Sequence, residues 1–246
     1  MTVAEQDEQR DGRHSRWDDH RGQRRRLILD AAVAVVEEAP QGAELRLQDV
    51  STRAGLVRTV VQRHFGGQVG LLRAVQADVL EQAFALITEP LDLTASLHDV
   101  AAQMVGTTIE WVDGHPCLHA LVEREVGDGE PSELSRAIAS YAGFLSGLVQ
   151  QIAELAGLEP TTLQVEEMRL LSVGIIGQVR VAVTGWREGE YREVSAAHLQ
   201  ELLATWITAQ IALQAERLGL RLDPEKPLLE AANDLMDIPV ADVTGQ

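Results

Sequence analysis

Residues 47–65, LQDVSTRAGLVRTVVQRHF, decide the fold. Leu47, Val50 and Ala54 recur at helical spacing and give one apolar face. Gly55 stands where that helix must stop, and glycine enters the left-handed conformation that ends helices without a Cβ clash. Beyond it, Val61 and Phe65 are four residues apart and point the same way. That leaves Arg58, Thr59, Gln62 and Arg63 on the outward face, all able to hydrogen-bond a nucleic acid. Ala54 is small enough to let two helix axes approach. This is the design of a helix-turn-helix, whose second helix lies in the major groove of DNA. A surface helical hairpin with a solvated polar face fits the same residues, so the flanking sequence has to separate the two readings.

On the amino-terminal side, RRRLILDAAVAVVEEA (24–39) sets Ile28, Ala31, Ala32, Val35 and Val36 on one stripe, an amphipathic helix. Read as a helix start, Arg24, Arg25 and Arg26 oppose the macrodipole, so local helix stability does not explain them. Phosphate contact does, at about 1 kcal/mol or less per exposed pair. Pro40 and Gly42 break the chain before residue 47. On the other side, Leu71, Leu72, Val75, Val79, Leu80, Ala83 and Leu86 mark a helix of about five turns. Residues 1–22 show no apolar periodicity; Arg10, Arg13, Arg16 and Arg21 have the charge to trail along DNA, but six acids are interleaved with them, and a disordered, solvated arm is expected.

Composition agrees with helices throughout. Ala, Leu, Glu, Gln and Arg dominate the 246 residues, enough for a small head and a larger body. The single cysteine, Cys117, excludes an internal disulfide and suits a reducing cytoplasm. No basic start leads into an apolar leader, and no uncharged apolar run of spanning length is evident, so a soluble, cytoplasmic protein without a membrane partner is expected. The net charge of −17 is unusual for a DNA binder, but its distribution is uneven. From His20 to Leu72, eight arginines face five acids, a net of +3; from Arg73 to Gln246, ten basic residues face 27 acids, a net of −17. Repulsion between an acidic body and phosphates would help orient a mildly basic head. The acidity would also keep the protein soluble.

The order of these elements resembles the tetracycline-repressor (TetR) family of bacterial regulators. The resemblance is carried by Ile28, Leu29, Ala31 and Ala32, by Asp49, Val50, Arg53, Ala54, Gly55 and Leu56 at the turn, by His64 and Phe65, and by Leu71 and Leu72. It covers roughly 50 residues. The chain also departs from the pattern. Val57 stands where the family usually has a capping Ser or Thr. Arg46 stands in place of Thr, Gln62 in place of Tyr and Gln68 in place of Lys. The usual Tyr and Lys touch phosphates; Arg46 and Arg63 are candidates to replace them, since an Arg forks onto phosphate at least as well as Lys.

The remainder reads as a helical body. Thr94 is a candidate cap for a helix over 95–112, and a short helix follows Pro116 to Val126. Further helices are expected over 131–155, 163–186 and 195–218, with a short one over 228–236. The stretch 170–183, LLSVGIIGQVRVAV, is apolar nearly all round and must be covered on several sides. Gly174 and Gly177 would let another helix come close. In the last long helix, Leu199, Leu202, Leu203, Trp206, Gln210 and Leu213 form a wide stripe. Together these two helices offer more apolar face than one small body needs, and a two-fold homodimer, which a palindromic operator requires, is expected to use it.

The fold class expected is all-α: a disordered arm over 1–22, a DNA-binding head over 23–68, a ligand-binding and dimerisation body over 69–223, and a tail over 224–246. Arg58, Thr59, Val60, Gln62, Arg63 and His64 would face the groove, where an Arg takes guanine, a Gln takes adenine and Val60 meets a thymine methyl. Arg24, Arg25, Arg26, Arg46 and Gln68 would hold phosphates. The resemblance implies a small apolar effector bound in the body that releases DNA. Met104, Trp111, His119, Phe144 and Gln178 combine apolar bulk with polar tips and are the candidate effector contacts. His115, Cys117, His119 and Glu123 have the residue types of a metal site, but Pro116 separates His115 from the following helix; surface and core roles are expected, with no metal and no cofactor. Nothing suggests catalysis: there is no G-x-S-x-G elbow, no phosphate-cradling loop and no H-E-x-x-H, and the one lysine is Lys226. The function expected is a ligand-responsive DNA-binding regulator, most simply a repressor. The alternative is a helical dimeric interaction protein of the same fold with weakened or lost DNA binding.

Overall fold

The computed structural model describes residues 3–88, 92, 94–127, 129–155, 159–217, 223–228 and 230. Among them run nine helices and no strand: α1 (Val3–Glu38), α2 (Leu47–Arg53), α3 (Arg58–Phe65), α4 (Gln68–Thr88), α5 (Leu97–Gly114), α6 (Pro116–Glu123), α7 (Glu133–Leu155), α8 (Thr162–Arg187) and α9 (Ala196–Arg217). Most of the tail, including most of the helix expected over 228–236, lies outside the described residues.

The first helix differs from expectation. It begins at Val3, not near Arg24, so a helix runs through the segment read as a disordered arm. Residues 3–23 contain no proline to break a helix, and their Gln and Arg favour one against Gly12 and Gly22, although no apolar stripe announces it. Arg24, Arg25 and Arg26 therefore sit in mid-helix, far from the positive end of the macrodipole, and the penalty argued from a helix start does not apply.

Local signals set the other ends. Ser96, not Thr94, caps α5: its Oγ accepts from the Asp99 amide at 3.1 Å, while Thr94 is held by Asp92. α8 starts in a capping box, with Thr161 and Gln164 each accepting from the other's backbone N–H.

The chain forms two compact units, Met1–Leu80 with Pro116–Leu134, and Glu81–His115 with Ser135–Gln246. The boundary falls inside α4, and α6 joins the first unit. The reason lies in polar contacts that sequence does not display. Buried Gln76 of α4 donates from Nε2 to the carbonyls of Leu121 and Arg124, both at 2.8 Å, and so closes the end of α6. Arg73 pairs with Glu133 at 3.0 Å and donates to the Pro131 carbonyl. The core of this unit is Ile28, Ala32, Leu47, Val50, Val61, Phe65, Leu71 and Val75.

In the second unit α5 lies along α9, with α8 packed beside them; Val105, Ile109, Val183, Leu199, Leu203 and Ile207 make its core. Gln200 donates to the Ala102 carbonyl at 2.9 Å and lies over Gly106, where any side chain would meet it. Much of α8 remains uncovered by its own chain. Leu163, Leu170, Gly174 and Val181 are exposed and recur at steps of seven, four and seven, a single stripe. Trp206 and Leu213 of α9 are exposed as well. Antiparallel pairing of the two helices is marked by Gln178 to Gln210 at 2.9 Å and Glu167 to Gln214 at 3.3 Å. By length and composition α8 also meets the criterion for crossing a membrane, which the sequence reading did not register.

Candidate nucleic-acid interface

The turn between α2 and α3 is closed by the backbone. Gly55 has φ +65°; its amide donates to Thr52 O at 3.2 Å and the Leu56 amide donates to Ser51 O at 2.9 Å. This pair of bonds is the Schellman arrangement, and only glycine holds that φ without strain. Leu47, Val50, Val61 and Phe65 are buried, so α3 is fixed by one face. The opposite face carries Arg58, Thr59, Gln62 and Arg63, all exposed, with Val60 and His64 half-buried at its edges. Val57 precedes α3 and makes no side-chain cap.

The flanking residues divide. Arg24 and Arg25 are exposed on α1, and the Arg25 guanidinium lies 5.0 Å over the Phe65 ring. Arg46 is exposed and lies 3.6 Å from Glu44. The His64 pKa is lowered from its ordinary 6.5, first by burial and then by the charges of Arg24, Arg21 and Arg25. The end of α3 and this side of α1 thus share one positive field.

Two of the expected phosphate contacts are engaged internally. Arg26 forks onto Asp78 of α4, with Nη1 and Nη2 donating at 2.5 and 2.8 Å, and Nε donates to Asp30 at 2.7 Å. Asp78 is only 12% exposed, and its hydrogen bonds raise the Arg26 pKa further above its ordinary range. Arg26 ties α1 to α4. Gln68 accepts from the Leu47 amide at 3.1 Å and donates to the Leu45 carbonyl. Arg46 offers α2 no side-chain cap, so Gln68 supplies one from 21 residues away. Sequence reasoning also missed Arg53, which forks onto Glu38 with both contacts at 2.7 Å and joins the ends of α1 and α2.

Two outcomes follow. Arg26→Ala will cost about 1–3 kcal/mol in a urea titration, between a surface pair and a buried one, and will leave the salt dependence of any DNA binding unchanged. For His64, the folded chain holds the imidazole proton less tightly than the unfolded chain. Its contribution to stability is whole above pH 6.5 and is lost as pH falls below that value through the lowered folded pKa. His64→Gln will flatten this acid-side loss, read as urea midpoints on either side of pH 6.5.

The candidate effector contacts are not assembled. Met104 and Trp111 lie partly buried on α5, Gln178 is bonded to Gln210, and Phe144 is exposed on α7. His119 is buried in the other unit, 3.8 Å from Glu123. His115 stands against Trp111 at 6.0 Å between rings. A cavity of about 80 Å³ lies in the first unit, lined by Val35, Val36, Ala39, Cys117, Ala120 and Leu121; it includes none of the five and is well below ligand-pocket size. Sequence gave no signal for Tyr141. Its ring stacks on Phe84 at 4.7 Å, burial pushes its pKa up to about 12, and its buried hydroxyl has no hydrogen-bond partner among the described residues.

No protein-family model matches the chain, and no curated protein matches it significantly. Solved structures do. A TetR-family transcriptional regulator from Streptomyces coelicolor superposes with a TM-score of 0.60 at 17% identity, over 90% of this chain and 94% of its own. A Rhodococcus sp. chain classed as a TetR-family transcriptional regulator gives 0.51 at 18% identity, over 87% and 100%. The fatty acid degradation regulator FadR from Bacillus halodurans gives 0.50 at 15% identity, over 75% and 94%. At these identities the likeness is one of fold: the chain has the all-α fold of TetR-family regulators.

Proposed function

We propose that this chain, built on the TetR-family fold, is a DNA-binding transcriptional regulator, a repressor that grips a palindromic operator as a homodimer and lets go when a small apolar effector binds. The observation that carries the reading is the outward face of α3. Arg58 and Arg63 are exposed there with no acidic partner among the described residues, while Val61 and Phe65 fix the helix from behind. Arg24, Arg25 and His64 adjoin that face, and Arg46, exposed at the start of α2, is the further phosphate contact of this reading. Two bidentate-capable guanidiniums beside Gln62 can read guanine and adenine edges.

The uncovered stripe on α8, with Trp206 and Leu213 of α9, supports a homodimer. α8 and α9 also carry half-buried Arg180 and the Gln178–Gln210 hydrogen bond, polar groups that are costly in lipid and ordinary near a protein interface. For the effector, support comes from the orphan Tyr141 hydroxyl on its aromatic stack, a polar tip on an apolar surface. No residue cluster among the described residues points to catalysis, and the reading is of a non-enzymatic, cytoplasmic protein.

A second reading, a dimeric interaction protein without DNA binding, draws on Gln68, whose amide is used internally, and on the uncapped start of α3. Selection of sites from a random-sequence DNA pool by the full chain, followed by salt titration, separates the two. Recovery of one palindrome, bound with a steep salt slope, supports the regulator; equal, feeble binding to every sequence supports the alternative.

A further inference from the structure

Because α1 is continuous from Val3 to Glu38, helical register re-sorts charges that alternate in the sequence. Arg10, Arg13, Trp17, Arg21 and Arg24 recur at steps of three, four, four and three, which puts these positions on one face, with His14 and His20 at its margins. At about 100° per residue, none of Glu5, Asp7, Glu8, Asp11, Asp18 and Asp19 comes within about 70° of the middle of that face. Five of these acids, all but Asp7, lie on the opposite side, about 100° or more from that middle. Continuing the register by four and three residues reaches Ile28 and Ala31, both buried in the core of the first unit. The basic face is therefore the forward extension of the face that α1 buries in the core of the first unit. After burial, Arg24, Arg21 and Arg25 are what hold down the pKa of His64, so the positive field is already continuous with the end of α3.

We propose that the basic face of α1 is a second DNA contact, lying on the phosphate backbone of the duplex that flanks the groove entered by α3. From Arg10 to Arg24 it spans about 21 Å, a good part of a duplex turn of about 34 Å. The occupant follows from charge complementarity and from continuity with α3. The acidic reverse face repels phosphate, so one side alone can dock. Such contacts add affinity and salt dependence without sequence preference. The inference rests on the DNA reading of α3, and its test keeps the two apart.

The probe is the site recovered from a random-sequence pool, made once as a minimal duplex and once with ten added base pairs on each side, about one turn. Affinity of the full chain for both is measured by fluorescence anisotropy across a salt series. The wild-type chain is expected to gain at least tenfold on the longer duplex. Arg10→Gln with Arg13→Gln should lose that gain, lower the salt slope by about 0.9 for each phosphate contact removed, and bind the minimal duplex as before. Ser15→Pro, which breaks the helix without changing charge, should lose the gain too. An equal gain in all three chains, or its loss on replacing Asp11 and Asp18 instead, overturns the proposal. Specific binding with no gain on the longer duplex overturns the basic-face contact alone, and absence of specific binding to either duplex overturns the reading of α3 along with it.

Discussion

Leu170→Glu together with Val181→Glu will leave the helical content of the chain unchanged and abolish its self-association. Leu170 is 72% exposed and Val181 62% exposed, so neither carboxylate disturbs the chain's own core. The two positions are eleven residues apart and share the stripe of Leu163 and Gly174. In a two-fold dimer the pair places four unpaired carboxylates in the interface, and each costs several kcal/mol to bury. Micromolar samples that sediment as dimers should sediment as monomers. Specific DNA affinity should fall on the order of a hundredfold or more, because the second half-site loses its high effective concentration. A dimer that survives the double substitution would place the interface elsewhere. Recovery of the wild-type chain in a membrane fraction, released by these changes, would mean that lipid covers the stripe.

Gly70→Ala is the largest effect expected on the head itself. A Cβ at Gly70 would stand 1.8 Å from the carbonyl oxygen of Phe65 and 3.0 Å from its carbon. These are backbone atoms, and no rotamer relieves the overlap. The close approach follows from Gly66 and Gly67, whose φ values of +72° and +115° turn the chain sharply from α3 into α4. With a methyl group present, the start of α4 must move away, carrying Leu71 and Val75 out of a core where both are fully buried. The cost should be about 3 kcal/mol or more, at the upper end for overpacking, and visible as a lower urea midpoint and weaker DNA binding. Gly174→Ala is the control: nothing lies within 4 Å of its Cβ position, and the fold should not respond.

What the sequence disclosed and what it withheld have the same physical root. The α2–turn–α3 unit was legible because its signals are local: apolar residues at helical spacing and one glycine at the required left-handed position. The same locality misled the reading at α1, where interleaved charge looked like a solvated tail although nothing there breaks a helix. Arg26 and Gln68 have the chemistry of phosphate contacts, and their residue types alone do not reveal Asp78, Leu45 or Leu47 as partners. Those contacts span 21 to 52 residues and depend on how α4 returns along the head. The packing of α6 in the first unit rests on Gln76 in the same way. The residues proposed to meet an effector were the least legible: no periodicity points to a pocket, and Tyr141 stands out only by its burial and stacking.

The most direct test of α3 as the reading element compares Arg63→Ala with Arg26→Ala on the selected duplex and on a scrambled one of equal length, at fixed salt. If α3 reads base edges, Arg63→Ala should cost about 1–3 kcal/mol per half-site and bring the selected and scrambled affinities together, with the oligomeric state intact. Arg26→Ala should keep the ratio of the two affinities. An Arg63→Ala chain that still prefers the selected duplex as strongly as the wild type would show that the exposed face of α3 does not read DNA.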